Sequence, residues 1–154
     1  MRRQLFMGAT EVEASKTAAQ ISALLIEAGA RRIQMDFDAD GRIVGMHFML
    51  MVEGVPHPFK MPARIQPVFE ILQAKRRSEY ERSSNKDKDR AAAERIGWRQ
   101  LLRWTEVQIA FARSGMASVH EILLPYLVEQ GGSTVFELFE GSHFKALPAA
   151  KKAG

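Results

Sequence analysis

Cysteine is absent from the 154-residue chain, which removes disulfides, thiolate nucleophiles and Cys-ligated zinc. Long apolar runs are absent as well; none approaches the ~20 residues of a membrane span. Met1-Arg2-Arg3-Gln4 is basic, but no apolar h-region or small-residue cleavage site follows it. No P-loop, GxGxxG, GxSxG or HExxH pattern occurs. The four histidines, His47, His57, His120 and His143, have no i,i+3 or i,i+4 histidine partner. A zinc site would therefore have to gather ligands from distant segments. His57, between Pro56 and Pro58, reads as an edge residue rather than a catalytic base. The expectation is a soluble cytoplasmic protein that is not an enzyme, with no metal and no cofactor.

What is present is ordinary globular material. A 46% hydrophobic and 26% charged composition argues against wholesale disorder, and the length suits one domain. Residues 1–10 lack periodicity and read as a flexible arm. Residues 11–144 read as a single α+β domain, and 145–154 as a flexible tail.

Thr10-x-x-Glu13 fits a capping box ahead of Ala14, Ala18, Ile21, Leu25 and Ala28, whose spacing predicts a helix over 11–28 closed by Gly29. The period then changes to two. Ile33, Met35 and Phe37 alternate with polar residues, and Asp38-Ala39-Asp40-Gly41 makes a hairpin turn. In the second strand Val44, Met46, Phe48, Leu50 and Val52 share one face. Ile43, Gly45, His47, Met49 and Met51 make the other largely apolar too, which predicts a central strand partly covered on both sides. Pro56 and Pro58 place the third strand, 55–61, at an edge. Asp36-x-Asp38-x-Asp40-Gly41 has the opening spacing of a calcium loop, but His47 stands where the closing acid belongs, so it reads as a turn.

Pro67 opens a second helix with Val68, Phe69, Ile71 and Leu72 on its apolar side. The polar stretch 83–88 reads as an exposed mobile loop. A long helix follows over 89–113, then a helix over 118–129 that Pro125 kinks or breaks. Thr134 to Phe139 is a short apolar piece of undetermined type. The order predicts an α+β fold: a helix, a three-stranded antiparallel meander, then three helices packed on the sheet.

Charge is concentrated in the middle. Residues 60–103 hold 12 basic and 6 acidic side chains, whereas the remainder holds 10 and 12. On the long helix Arg95, Arg99 and Arg103 repeat every four residues, with Glu106 and Arg113 beside them. Such a ladder repels itself by roughly 0.2–0.5 kcal/mol per pair. It is either paired internally, with Asp36, Asp38 and Asp40 as candidates, or it meets an external anion. The candidate nucleic-acid-binding residues are Lys75, Arg76, Arg77, Lys86, Lys88, Arg95, Arg99 and Arg103. Trp98 and Trp104 lie off the ladder and read as core.

Trp98-Arg-Gln-Leu-Leu-Arg-Trp104, Gly115-Met116 and Leu124-Pro-Tyr-Leu127 resemble small proteins encoded in phage and prophage genomes, most of unassigned function. The helix–strand–strand–strand–helix order resembles a double-stranded-RNA-binding domain, although Gln66-Pro67-Val68-Phe69 replaces the basic helix start of that family. Three antiparallel strands followed by a long helix also resemble, in topology, the core of single-strand annealing proteins. The expected function is non-enzymatic binding of nucleic acid, single-stranded DNA or RNA, in the host cytoplasm if the chain is phage-encoded. A homo-oligomer would form through the apolar helices or the Met-rich sheet face. The alternative is a protein-interaction module for assembly or host-factor binding, with a structural arginine ladder.

Overall fold

The computed structural model describes residues 4–143. The order is α1 (Ala14–Glu27), β1 (Ala30–Phe37), β2 (Ile43–Val52), β3 (Val55–Pro62), α2 (Gln66–Ala74), α3 (Glu79–Ser84), α4 (Lys86–Ser114), α5 (Val119–Leu123), a 3-10 turn (Leu124–Tyr126) and α6 (Val135–Gly141). A helix, an antiparallel sheet and then helices make the α+β architecture that the two periods imply. The helical half divides more finely than three helices.

Helix α1 buries Thr17, Ala18, Ile21 and Leu25, the face set by the three- and four-residue spacing. Its N-cap is Glu13, without a side-chain cap, so the Thr10–Glu13 box does not form. Thr10 sits in a turn instead, its amide bonded to Met7 O at 3.1 Å and its hydroxyl accepting from Val12 N at 3.3 Å. That turn places Thr10 too far upstream to cap the helix. In the preceding segment Leu5 packs on Val68, Phe69, Ala93 and Ile96, and Gln100 Nε2 donates to Phe6 O at 2.8 Å. Residues 1–3 of the expected arm and 145–154 of the expected tail lie outside the described residues.

The sheet order is β1-β2-β3. Asp38 builds the first hairpin, its Oδ1 accepting from the amides of Asp40 and Arg42, both at 2.9 Å, while Gly41 takes φ 76°. Met46, Phe48 and Leu50 are buried against the helices. On the opposite face Gly45 is buried, Ile43, His47 and Met49 are partly buried, and Met51 is exposed. A depression of about 580 Å³ there is lined by β1, β2 and β3 residues alone, including Arg32, Gln34, His47, Met49 and Pro58. Beside β3, Val128 N donates to Pro58 O at 2.9 Å, and Phe59 forms a bridge with Leu127.

Residues 83–88 are helical, not a loop. Ser83 and Ser84 close α3, Asn85 is the joint, and Lys86 opens α4. Polar residues cap both ends of α3: Ser78 Oγ accepts from Glu81 N at 3.1 Å, and Asn85 Nδ2 donates to Glu81 O at 2.8 Å. The anchor that periodicity could not supply is the buried carboxylate of Asp89. Pro125 breaks the next helix, which ends in the 3-10 turn. The undetermined piece after Gly132 is α6, opened by a capping box between Thr134 and Glu137.

Helix α4 ties the layers together. Its glycine, Gly97, admits Ile65; a Cβ there would lie 2.6 Å from Ile65 Cδ1. Trp98 is 0% exposed, and its Nε1 donates to Ile43 O at 3.1 Å, joining α4 to the start of β2. Trp104 is partly buried and meets Tyr126 edge-on, with ring centroids 5.5 Å apart. Trp98→Ala is expected to cost about 3–5 kcal/mol. Trp98→Phe keeps an aromatic ring but removes the donor to the part-buried Ile43 carbonyl, which costs about 0.5–1.5 kcal/mol. Urea unfolding measures both, and a wild-type midpoint for Trp98→Ala would contradict the assignment of this ring to the core.

Candidate anion-binding cleft

The arginine ladder faces α1. Arg99 Nη1 donates to Gln20 Oε1 and, at 3.4 Å, to Thr17 Oγ1. Arg103 pairs with Glu106 at 2.7 Å, one turn along its own helix, and Arg113 pairs with Glu27 at 3.3 Å. Arg95 has its Nε buried without a hydrogen-bond partner. The hairpin aspartates are engaged elsewhere: Asp36 with His47 at 2.8 Å, Asp38 with backbone amides, and Asp40 with Arg42 at 3.5 Å. Arg99 and Arg103 therefore meet polar groups of α1 and Glu106 rather than Asp36, Asp38 or Asp40. The four-residue spacing is legible in sequence; the packing of α1 against that stripe is not.

Arg76 is separated from its neighbours by a structural task. Its Nε donates to Asp89 Oδ2 at 3.0 Å and its Nη2 to Asp89 Oδ1. Gln73 Nε2 donates to Asp89 Oδ2 at 2.8 Å. Asp89 is only 3% exposed, and a forked pair with an added amide is the arrangement that makes a buried carboxylate tolerable. Hydrogen bonding to Arg76 lowers the Asp89 carboxyl below its ordinary range, against burial, which raises it. The same hydrogen bond raises Arg76. Lys75, Arg77, Lys86 and Lys88 are exposed around this α2–α3–α4 junction.

Three arginines that sequence reasoning did not select converge elsewhere. A cleft of about 410 Å³ lies between the first hairpin, the N-terminus of α2 and the first half of α4, with Arg42, Arg64 and Arg90 among its lining residues. Arg42 Nε pairs with Glu94 Oε1 at 2.9 Å. Arg90 is held over the Phe69 ring, 4.2 Å from its centroid, and donates to Gln66 Oε1 at 3.2 Å. Arg64 sits 4.9 Å over the Phe136 ring. Neither Arg64 nor Arg90 forms an ion pair among the described residues. Stacking on a ring fixes the guanidinium plane while leaving N–H donors at its edge.

Two carboxylates, Asp38 and Glu94, also line the cleft, against its three arginines. Helix α2 begins there with Ile65 as N-cap, Pro67 in its first turn, no side-chain cap and no acidic residue in that turn. Its positive dipole end is thus not neutralised by its own sequence. Burial raises the Glu94 carboxyl, its largest perturbation, and Arg42 opposes that shift. Lys86 stands four residues before Arg90 on α4 and lies on the same helix face, extending the basic track toward the α2–α3–α4 junction. The signal in sequence was the basic bias of 60–103; what assembled the site was contact between segments far apart in the chain. Among the described residues no group of His, Asp and Glu could hold a metal ion. No family model, characterised protein or solved structure matches the chain.

The Asp89 clamp makes a pH prediction. A carboxyl with a lowered folded-state pKa contributes stability that is fully present above its unfolded value and is lost as pH falls through the folded one, here below about pH 4. Denaturant unfolding of wild type and Asp89→Asn is expected to show a wild-type advantage near neutrality that shrinks on acidification into that range. Two stability curves running parallel from about pH 7 to about pH 3 would contradict the clamp.

Proposed function

We propose that the protein is a non-enzymatic nucleic-acid-binding protein that grips the phosphate backbone in the Arg42–Arg64–Arg90 cleft, favouring single strands. The observation that carries this reading is the pair Arg64 and Arg90, held in place by aromatic rings rather than by carboxylates, at an uncapped helix N-terminus. A guanidinium fork pre-oriented in this way is suited to phosphate oxygens. The recess suits the narrow backbone of one strand better than the broad surface of a duplex. Lys86, with Lys75, Arg77 and Lys88 near the α2–α3–α4 junction, supplies a diffuse positive field that aids encounter and adds little sequence preference. Arg76, Arg99 and Arg103 are left out of the proposed binding set, because their contacts are to Asp89, α1 and Glu106; Arg95 is left out because its Nε is buried.

Fluorescence anisotropy with labelled single-stranded DNA, single-stranded RNA and duplex DNA, at several salt concentrations, tests the reading. Log affinity is expected to fall linearly with log salt, by roughly 0.7 per single-strand phosphate contact. The double change Arg64→Gln and Arg90→Gln is expected to flatten that slope by about two contacts and to weaken all sequences alike. Arg99→Gln, facing α1, is expected to leave the slope unchanged and to alter stability by less than about 1 kcal/mol. Salt-insensitive or absent binding by the wild type would turn the reading to protein interaction. The feature favouring that alternative is the open sheet face around Met49 and Met51.

A further inference from the structure

A second cavity lies toward the C-terminal end of α4 and does not depend on the nucleic-acid reading. It measures about 280 Å³ and opens between the C-terminal ends of α1 and α4, the inner face of the sheet, and α5. Its walls are apolar, with Phe48, Met61, Trp104, Ile109 and Leu123 among them. The hydroxyl inside it, on Thr105, is already spent on Leu101 O at 2.8 Å. The lining is largely apolar and suits apolar ligands; an enclosed apolar cavity of ~150 Å³ takes benzene. About twice that volume suits two fused rings or a chain of roughly ten carbons.

Polar groups on the lining decide the head group. Glu27 and Arg113 both line the cavity and pair with each other at 3.3 Å. Because the two signs are matched and adjacent, a charged head of either sign gains one contact and meets one repulsion. Gln108 also lines the cavity, and its amide makes no hydrogen bond among the described residues. It offers one acceptor and two donors to a neutral partner. We propose that this cavity binds a medium-length aliphatic chain with an uncharged polar head, an alcohol or amide, with the chain against Trp104 and the head at Gln108.

The probe is 1-decanol, compared with decanoate and decylamine, and read by calorimetric titration and by thermal shift of the full chain. Decanol is expected to raise Tm with saturation and to bind more tightly than either charged analogue. Ala112→Leu, which adds three carbons at the cavity wall, is expected to weaken decanol by more than about tenfold while leaving the fold intact. Should that variant fail to fold, Val119→Phe, which adds four carbons from the opposite wall, gives the same test. Gln108→Leu is expected to abolish the preference for decanol over alkanes of equal length. Binding undiminished in a folded filled variant, tighter binding of either charged analogue, or no binding of decanol by the wild type would each overturn the proposal. None of these outcomes bears on the salt dependence of nucleic-acid binding.

Discussion

A single helix has to satisfy three neighbours at once. Helix α4 meets α1 along its arginine stripe, α2 along Ala93 and Ile96, and the sheet through Trp98 and Leu102. These sides are about equally necessary, so few positions on its first two-thirds are free to vary. Trp98 is the point at which they lock. Its ring is fully buried, and its one polar atom is satisfied by a strand carbonyl. A rotation of α4 by one residue, about 100°, would break that bond and carry Arg99 into the core. The same rotation would move Arg90 off the Phe69 ring. The positions of both the anion cleft and the apolar cavity thus follow from one rotational setting.

Much of the architecture is visible from periodicity. Ala18, Ile21 and Leu25 mark the buried face of α1, and Met46, Phe48 and Leu50 the buried face of β2, because apolar burial dictates both patterns. Pro56 and Pro58 mark β3 as an edge strand for an equally local reason. Ser83 to Lys88 is illegible by the same logic. That segment is anchored by Asp89, whose burial depends on Arg76 and Gln73 more than ten residues earlier. A carboxylate in the core has no periodic signature. Thr134 and Glu137 did carry a capping-box spacing, but without a long apolar run behind it that spacing does not declare a helix.

The candidate site was legible only as a bias. Twelve basic residues among 60–103 announced a positive region, yet in the regular ladder Arg99 meets α1 and Arg103 pairs with Glu106 along its own helix. The arginines that share a cleft, Arg42, Arg64 and Arg90, come from three elements and have no common spacing. What distinguishes Arg64 and Arg90 is their packing on aromatic rings, a property of tertiary structure. Regular charge spacing on a helix identifies a shared face; whether that face meets solvent, a ligand or another helix is decided by packing.

The two margins of the sheet are treated differently. Beside β3, Leu127 and Val128 occupy the margin, and the prolines withhold donors from it. Strand β1 has no such companion among the described residues, so its outward amides and carbonyls form a template for another extended chain. Arg31 and Arg32 are exposed on it, and its pairing with β2 is irregular between Ala30 and Arg32 and again between Asp36 and Phe37. Two charges and two departures from regular pairing within eight residues shorten the flat length open to a stray strand. At high concentration the chain would thereby resist growing into fibrils from the β1 margin.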